Sequence, residues 1–251
     1  MSGATSGSGG RIRRRLLLAF LLVALPPLVL LALAATALIE GRFETTTRTR
    51  FEVGLRRVRA VIDARRRRAE QQVAALIRDD LPSRERAEAP DRTMAETLAQ
   101  ARDLPVLVLL AANGRVVSSS PWPAGFDLPD SSAPLPGDPG FRLERVAEGY
   151  GDAERLALTA EGTTVWQGAA VTVRAGSFLD REFLAEMSEL MDLDVALRSS
   201  APARWFARPG SPVGAWTEPE FTSPGGSVLL GGVSYRWAGA RLSPSLWLVL
   251  S

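Results

Sequence analysis

The sequence predicts an α+β chain: an N-terminal transmembrane helix that continues into a long helix, then a mainly antiparallel sheet with flanking helices. Three observations carry that prediction. Arg11-Ile12-Arg13-Arg14-Arg15 is followed at once by an uncharged apolar run over residues 16–39. Residues 40–81 contain no proline, and their apolar positions recur at helical spacing. From residue 104 on, short apolar runs alternate with turn-forming residues, the pattern of strands.

Residues 1–15 form a basic tail whose first ten positions are small or polar and have nothing to bury. Residues 16–39 at about 1.5 Å each reach about 36 Å, enough to cross a hydrocarbon core of about 30 Å with some tilt. Pro26-Pro27 sits mid-span, a kink that membrane helices tolerate. Four arginines on one flank and Glu40 on the other place the N-terminus in the cytoplasm by the positive-inside rule. Residues 40–251 then lie outside it. A cleaved signal peptide ending near Ala35-Thr36-Ala37 competes with this reading. Its apolar region is usually about 7–15 residues, however, and here the helical pattern continues past the site. A core helix apolar all round would need protein on every side.

Residues 40–81 read as a long juxtamembrane helix. Phe51, Leu55, Val58, Ile62, Ala69 and Leu76 share one face, interrupted by Arg65 and Gln72. Such a face can serve as a coiled-coil seam, which makes a homodimer through this helix the expected assembly. Arg65-Arg66-Arg67-Arg68 reads first as a solvated helix face and second as an interaction patch. Leu81-Pro82 ends the helix, because proline disfavours helical geometry in the residue before it.

Residues 82–251 read as one extracytoplasmic domain. Ala89-Pro90-Asp91 marks a turn and a short helix follows over 92–102. Residues 106–110 and 116–119 are strands, joined through Asn113-Gly114, a strong hairpin signal. Residues 121–141 hold six prolines and read as a loop. Strands are expected at 155–160 and 163–173, then a helix at 179–191 with Asp180 and Glu182 at its positive end. Short strands follow at 194–198, 204–207, 227–230, 234–238 and 245–250. Trp205, Trp216, Trp237 and Trp247 stud this half and read as core.

Composition excludes much. The chain has no Cys, His or Lys; all thirty basic residues are Arg. Disulfides and the common zinc, haem and iron–sulfur ligand sets are therefore unavailable, and neither a metal nor a cofactor is expected. Serine–histidine and cysteine–histidine catalysis, a lysine Schiff base and a Walker lysine are excluded too. The pI near 9.8 is not a nucleic-acid signal. Residues 104–251 carry eleven Arg against sixteen acids, so the globular part is acidic and no nucleic acid is expected to bind. Asp192 with Asp194, and Asp152 with Glu154, are the carboxylate pairs an anchored hydrolase could use. Such pairs are common by chance, and no catalytic residue is assigned.

A basic tip, one membrane helix, a long helix and then Leu107-Val108-Leu109-Leu110-Ala111-Ala112-Asn113-Gly114-Arg115-Val116-Val117-Ser118-Ser119-Ser120 resembles the extracytoplasmic sensor region of bacterial sensor histidine kinases. The nearest folds are Cache and PAS-like sensor domains, whose first hairpin this stretch is similar to, with Ala111-Ala112 where an acidic residue is common. The passage from Gly176-Ser177-Phe178-Leu179-Asp180 to Asp194-Val195-Ala196-Leu197 is similar to their helix-then-strand segment. The resemblance implies a two-component signal-input domain in the inner membrane, with its sensor part periplasmic. It also implies a second membrane helix and a kinase core, which this chain lacks. A truncated receptor and a stand-alone anchored sensor are both compatible with that.

Two functions are weighed. In the first, the domain binds a small ligand and relays it through the long helix, with Trp166, Arg174, Tyr235 and Arg236 as candidate ligand-binding residues. A pocket guanidinium at Arg174 or Arg236 would pair a ligand carboxylate. The alternative is a single-pass structural or protein-interaction scaffold without a ligand. In either case the lipid bilayer is a partner and the chain is not itself an enzyme.

Overall fold

The computed structural model describes the backbone of residues 8–81, 91–216, 225–230 and 232–251. The first seven residues of the tail and the turn at Ala89-Pro90 lie outside the described residues. Helix α1 (Ser8–Ala75) takes in the apolar run, with Pro26 and Pro27 inside it. Among the described residues no helix is long and apolar enough to cross a membrane. Within the expected span only residue 20 and residues 25–31 have described side chains, so most of that expectation lies outside them. The chain divides into two compact units, Met1–Glu52 and Val53–Ser251. In the first, Phe20, Leu25, Leu28, Val29, Leu30 and Leu31 are all exposed.

In the second unit the end of α1 passes into one π-helical turn, Leu76–Asp80. After it come α2 (Met94–Arg102), β1 (Val106–Ala111), β2 (Val116–Ser119), β3 (Ala133–Leu135), β4 (Asp138–Glu148), β5 (Gly151–Trp166), β6 (Ala169–Phe178) and α3 (Arg181–Met191). The chain then forms β7 (Val195–Ser200), β8 (Ala203–Ala207), β9 (Gly225–Leu230), β10 (Val233–Ser243) and β11 (Leu246–Leu250). Mixed helix and antiparallel sheet is therefore the observed class.

The strands make two sheets where the sequence suggested one. The first has the order β2-β1-β6-β5-β4-β3, the second β8-β7-β11-β10-β9. Two local features of the first sheet also differ from the expected strands. The strand expected over 163–173 is in fact two strands, because Gln167 and Gly168 both take positive φ (49° and 77°). That is the two-residue hairpin turn whose twist matches its strands, and it closes Trp166 onto Ala169. Strand β4 is the second feature. Its Arg142 and Glu144 point inward and obscure the apolar alternation that would have revealed it.

The Asn113-Gly114 hairpin forms with the expected strands but a different turn. Only Gly114 takes positive φ, at 76°. The Asn113 side chain instead accepts from the Arg115 N–H at 3.1 Å, and Ala111 N–H donates to Arg115 O at 2.9 Å. Helix α3 begins where Asp180, as N-cap, accepts from the Phe183 N–H at 3.2 Å.

The first sheet has two covered faces. On one, Val73 and Leu76, with Met94, Ala95 and Leu98 of α2, pack on Leu107, Leu109, Val173 and Ala175. The opposite face carries Val106, Val108, Leu110, Val116 and Ala157, with Phe178 beside them. In the second sheet Ala196, Val249, Trp216 and Trp237 form a core, so Trp216 and Trp237 are core residues as expected, while Trp205 and Trp247 are half-buried against them. Trp205 and Trp216 meet edge to face, with ring centroids 6.2 Å apart. The sheets are tied where Ser245 Oγ donates to Pro136 O at 2.8 Å.

The helical periodicity of α1 is used within the chain. Val58, Ile62, Ala69 and Leu76 are buried, and the last of them faces the chain's own first sheet. Gly54 lies against Leu193 and Leu250. Two of the four consecutive arginines also turn inward. Arg65 lies 4.3 Å over the Phe183 ring, and Arg66 donates to Asp138 Oδ2 at 2.8 Å. Arg67 and Arg68 remain exposed.

Candidate functional site

Arg174 occupies the middle of β6, opposite Val108 of β1 and Glu161 of β5. Alternation along a strand puts it on the face away from Val173 and Ala175, and therefore away from the helices. Its side chain is only 2% exposed. Nε donates to Glu161 Oε1 at 2.7 Å and Nη2 to Asp130 Oδ2 at 2.6 Å. Nη1 donates to Ser132 Oγ at 2.6 Å and to Glu144 Oε1 at 3.3 Å. Arg142 of β4 adds a second guanidinium, donating to Glu161 Oε1 at 2.5 Å.

The loop before β3 closes the cluster. Asp130 Oδ1 accepts from Ser132 N–H at 3.0 Å and from Ser132 Oγ–H at 2.8 Å. Its own N–H donates to Gly114 O at 2.9 Å, which pins the loop to the first hairpin. Three carboxylates thus surround two guanidiniums, a formal charge of −1, with Arg174 and Glu144 buried and Glu161 reaching the surface. Among the described residues three buried polar atoms on β4 and β5 lack partners: Arg142 Nε and Thr159 Oγ1, and Trp166 Nε1 at the end of β5.

The carboxylates are unequal. Burial pushes the Glu144 carboxyl above the ordinary range, because its single contact to Arg174 is long and the shorter ones go to Asp130 and Glu161. Burial also works against the Asp130 charge, but its hydrogen bonds from Arg174 and Ser132 prevail and hold it below the usual range. For Arg174, burial opposes the charge too. Asp130, Glu144 and Glu161 outweigh it and raise the guanidinium further. Arg174 and Glu144 both move upward because Arg174 draws most of its support from other partners.

A pH dependence follows. The folded state holds the Glu144 proton to higher pH than the unfolded chain does, so stability falls as pH rises from the ordinary carboxyl range through the raised value. Asp130 acts oppositely: its contribution is present above the unfolded value and is lost as pH falls through the depressed one. Glu144→Gln is expected to flatten the decline on the alkaline side and leave the acid side unchanged. Thermal unfolding of both proteins across a pH series checks this; an identical alkaline slope in the variant refutes it.

The four residues nominated from sequence do not converge. Trp166 is buried on the opposite face of the first sheet from Arg174, in the core with Val73 and Val171. Its Nε1 has no partner among the described residues. Tyr235 belongs to the second sheet, where it packs on the tryptophan core and borders an open cleft of about 470 Å³ with Asp194 and Arg208. Arg236 is exposed beside it. Asp130, Ser132, Arg142, Glu144 and Glu161 were not nominated. The available signal was the charged residues alternating at 142 and 144, which reads as surface until Arg174 is seen opposite. Three of the four carboxylates weighed for hydrolysis are engaged in ion pairs: Asp194 with Arg208, Asp152 with Arg145, and Glu154 with Arg204.

No family model matches the chain, and no curated protein does. Solved structures similar to it include ligand-binding domains of chemoreceptors and the sensor or extracellular domains of histidine kinases. One is the ligand-binding domain of the Pseudomonas fluorescens chemoreceptor CtaA in complex with L-isoleucine, at 15% identity and a TM-score of 0.47. The match covers 80% of this chain and 87% of that one. The Pseudomonas aeruginosa amino acid chemoreceptor PctB with L-Arg matches at 14% and 0.47, over 80% of this chain and 84% of that one. The sensor domain of the V. cholerae histidine kinase DctB matches at 10% and 0.48, over 82% and 95%. None of these three reaches a TM-score of 0.5.

Proposed function

We propose that this chain is a membrane-anchored sensory input module of a bacterial two-component sensor histidine kinase. Residues 40–251 then lie in the periplasm and the N-terminus in the cytoplasm. The observation that carries the sensory reading is the buried fork of Arg174, closed by Asp130 from a loop. A guanidinium held at a sheet face is built to receive a carboxylate in two-pronged fashion. An incoming small carboxylate that replaced Asp130 would free the loop and shift the domain between two states. Relay through α1 requires those states to differ in ligand affinity.

The anchor is supported by the exposure of Leu28, Val29, Leu30 and Leu31. Four successive residues, turned about 100° apart, point to all sides of a helix, and exposing apolar groups all round suits lipid. Since the apolar seam of α1 is already buried, a homodimer through this helix would use the opposite face, around Ala60, Ala64 and Ala74.

One observation favours the scaffold alternative: every Arg174 nitrogen already has a partner within the chain. Thermal unfolding of the full chain in detergent, with a panel of amino and organic acids, separates the two. The sensory reading expects a saturable rise with at least one acid, and tighter binding of it by Asp130→Asn, which removes the internal competitor. No response from either protein across the panel would leave the scaffold reading standing.

A further inference from the structure

A second polar recess lies on the helix side of the first sheet, away from the Arg174 cluster. It is a groove of about 220 Å³ bordered by Arg65, Arg68 and Gln72 of α1, by Asp103 and Pro105 after α2, and by Ser177 of β6. Spacing of three and four residues puts 65, 68 and 72 on one face of the helix, so their polar heads reach the same recess. Arg65 is held in place there by donating to Phe178 O at 3.3 Å and stacking on Phe183. Burial lowers its pKa; Glu186 and Asp180 oppose that, and the nearby Arg68 adds to it.

The charge of Arg65 is therefore imperfectly compensated. Its nearest carboxylate, Glu186, stands 3.8 Å away and is mostly in water. Arg68 is exposed, and its positive charge works against that of Arg65. Two guanidiniums facing one recess repel each other unless an anion lies between them. The volume is below the roughly 300–1,000 Å³ of pockets for drug-sized ligands, a size that suits a small occupant, and two guanidiniums call for an anion.

We propose that this groove binds inorganic phosphate, with Arg65 and Arg68 on its oxygens and Gln72 and Ser177 as neutral partners. Asp103 decides between the tetrahedral anions. A carboxylate on the wall repels any anion, but phosphate near neutral pH keeps a proton that it can donate to Asp103. Sulfate has none to give. Phosphate is thus preferred over sulfate, and the bound ion links α1 to the end of β6.

The test uses the full chain purified in detergent without phosphate. Thermal unfolding and calorimetric titration are run with sodium phosphate, sodium sulfate and sodium chloride at matched ionic strength. Phosphate is expected to give a saturable rise that chloride does not, with sulfate weaker. Arg68→Gln is expected to weaken phosphate binding about tenfold or more, the scale of one lost charge-assisted hydrogen bond. Arg67→Gln, exposed and outside the groove, should bind as the parent does, and Asp103→Asn should bring sulfate level with phosphate. No saturable response to phosphate above chloride, or an undiminished response in Arg68→Gln, overturns the proposal. Because the acid panel probes Arg174 on the other face, failure of one site is distinguishable from failure of the other.

Discussion

Arg174→Met is expected to destabilise the second unit by about 3–5 kcal/mol, the cost of breaking a buried ion cluster from one side. The methionine fills much of the space but leaves Asp130, Glu144 and Glu161 without their shared counter-charge. Glu144 suffers most, being 3% exposed and already the least supported of the three. At about 2–4 °C per kcal/mol for a unit of this size, thermal unfolding should show a loss of roughly 10 °C. Arg174→Lys should recover less than half of it, since one ammonium cannot replace a planar fork that reaches four side chains. Lowering the pH should narrow the gap as the carboxylates take up protons. A loss below about 1 kcal/mol, the worth of an exposed ion pair, would mean that the cluster is neither dry nor structural.

Gly176→Ala should be nearly as damaging for a different reason. Gly176 pairs with Val106 on one side and Thr159 on the other, so β6 is fully flanked there. A Cβ would run into Leu158 O and stand 2.8 Å from Thr159 Cα. Those are backbone atoms of a central ladder and cannot swing aside, so the strands must separate, at about 3 kcal/mol or more. Gly54→Ala is the comparison. There the new Cβ meets the side-chain tip of Leu250 at 2.8 Å, which can rotate, and a loss nearer 1 kcal/mol is expected. Equal unfolding temperatures for the two variants would refute the distinction between backbone and side-chain obstruction.

How much of this was legible in the residues depended on the range of the interactions. The tryptophans of the second sheet were read as core because large apolar surface is buried almost wherever it falls. Helix α3 was legible from its apolar face and from the charges of Asp180 and Glu182 at its positive end, since the helix dipole acts within the first turn. Strand β4 was not, because its inward positions are Arg142 and Glu144, and charged residues signal a core only once their partners are known. Those partners are 19 and 30 positions away in sequence, at Glu161 and Arg174. The turn at Gln167-Gly168 was missed because Gln is an unusual residue at positive φ, held there by the ladder on both sides.

Local chemistry in the chain was enough to establish the apolar run behind four arginines, the helix after it, the antiparallel texture beyond residue 104 and the exclusion of histidine, cysteine and lysine chemistry. Folding settled what those elements are for. It divided the strands between two sheets, turned the apparent coiled-coil seam of α1 onto the chain's own core, and separated Trp166 from Arg174 by the thickness of a sheet. It also drew Asp130, Glu144 and Glu161 around one guanidinium. The reason is physical: periodicity, capping and hydropathy act between near neighbours. The meeting of opposite charges across three strands and a loop depends on register, which no short stretch of sequence encodes.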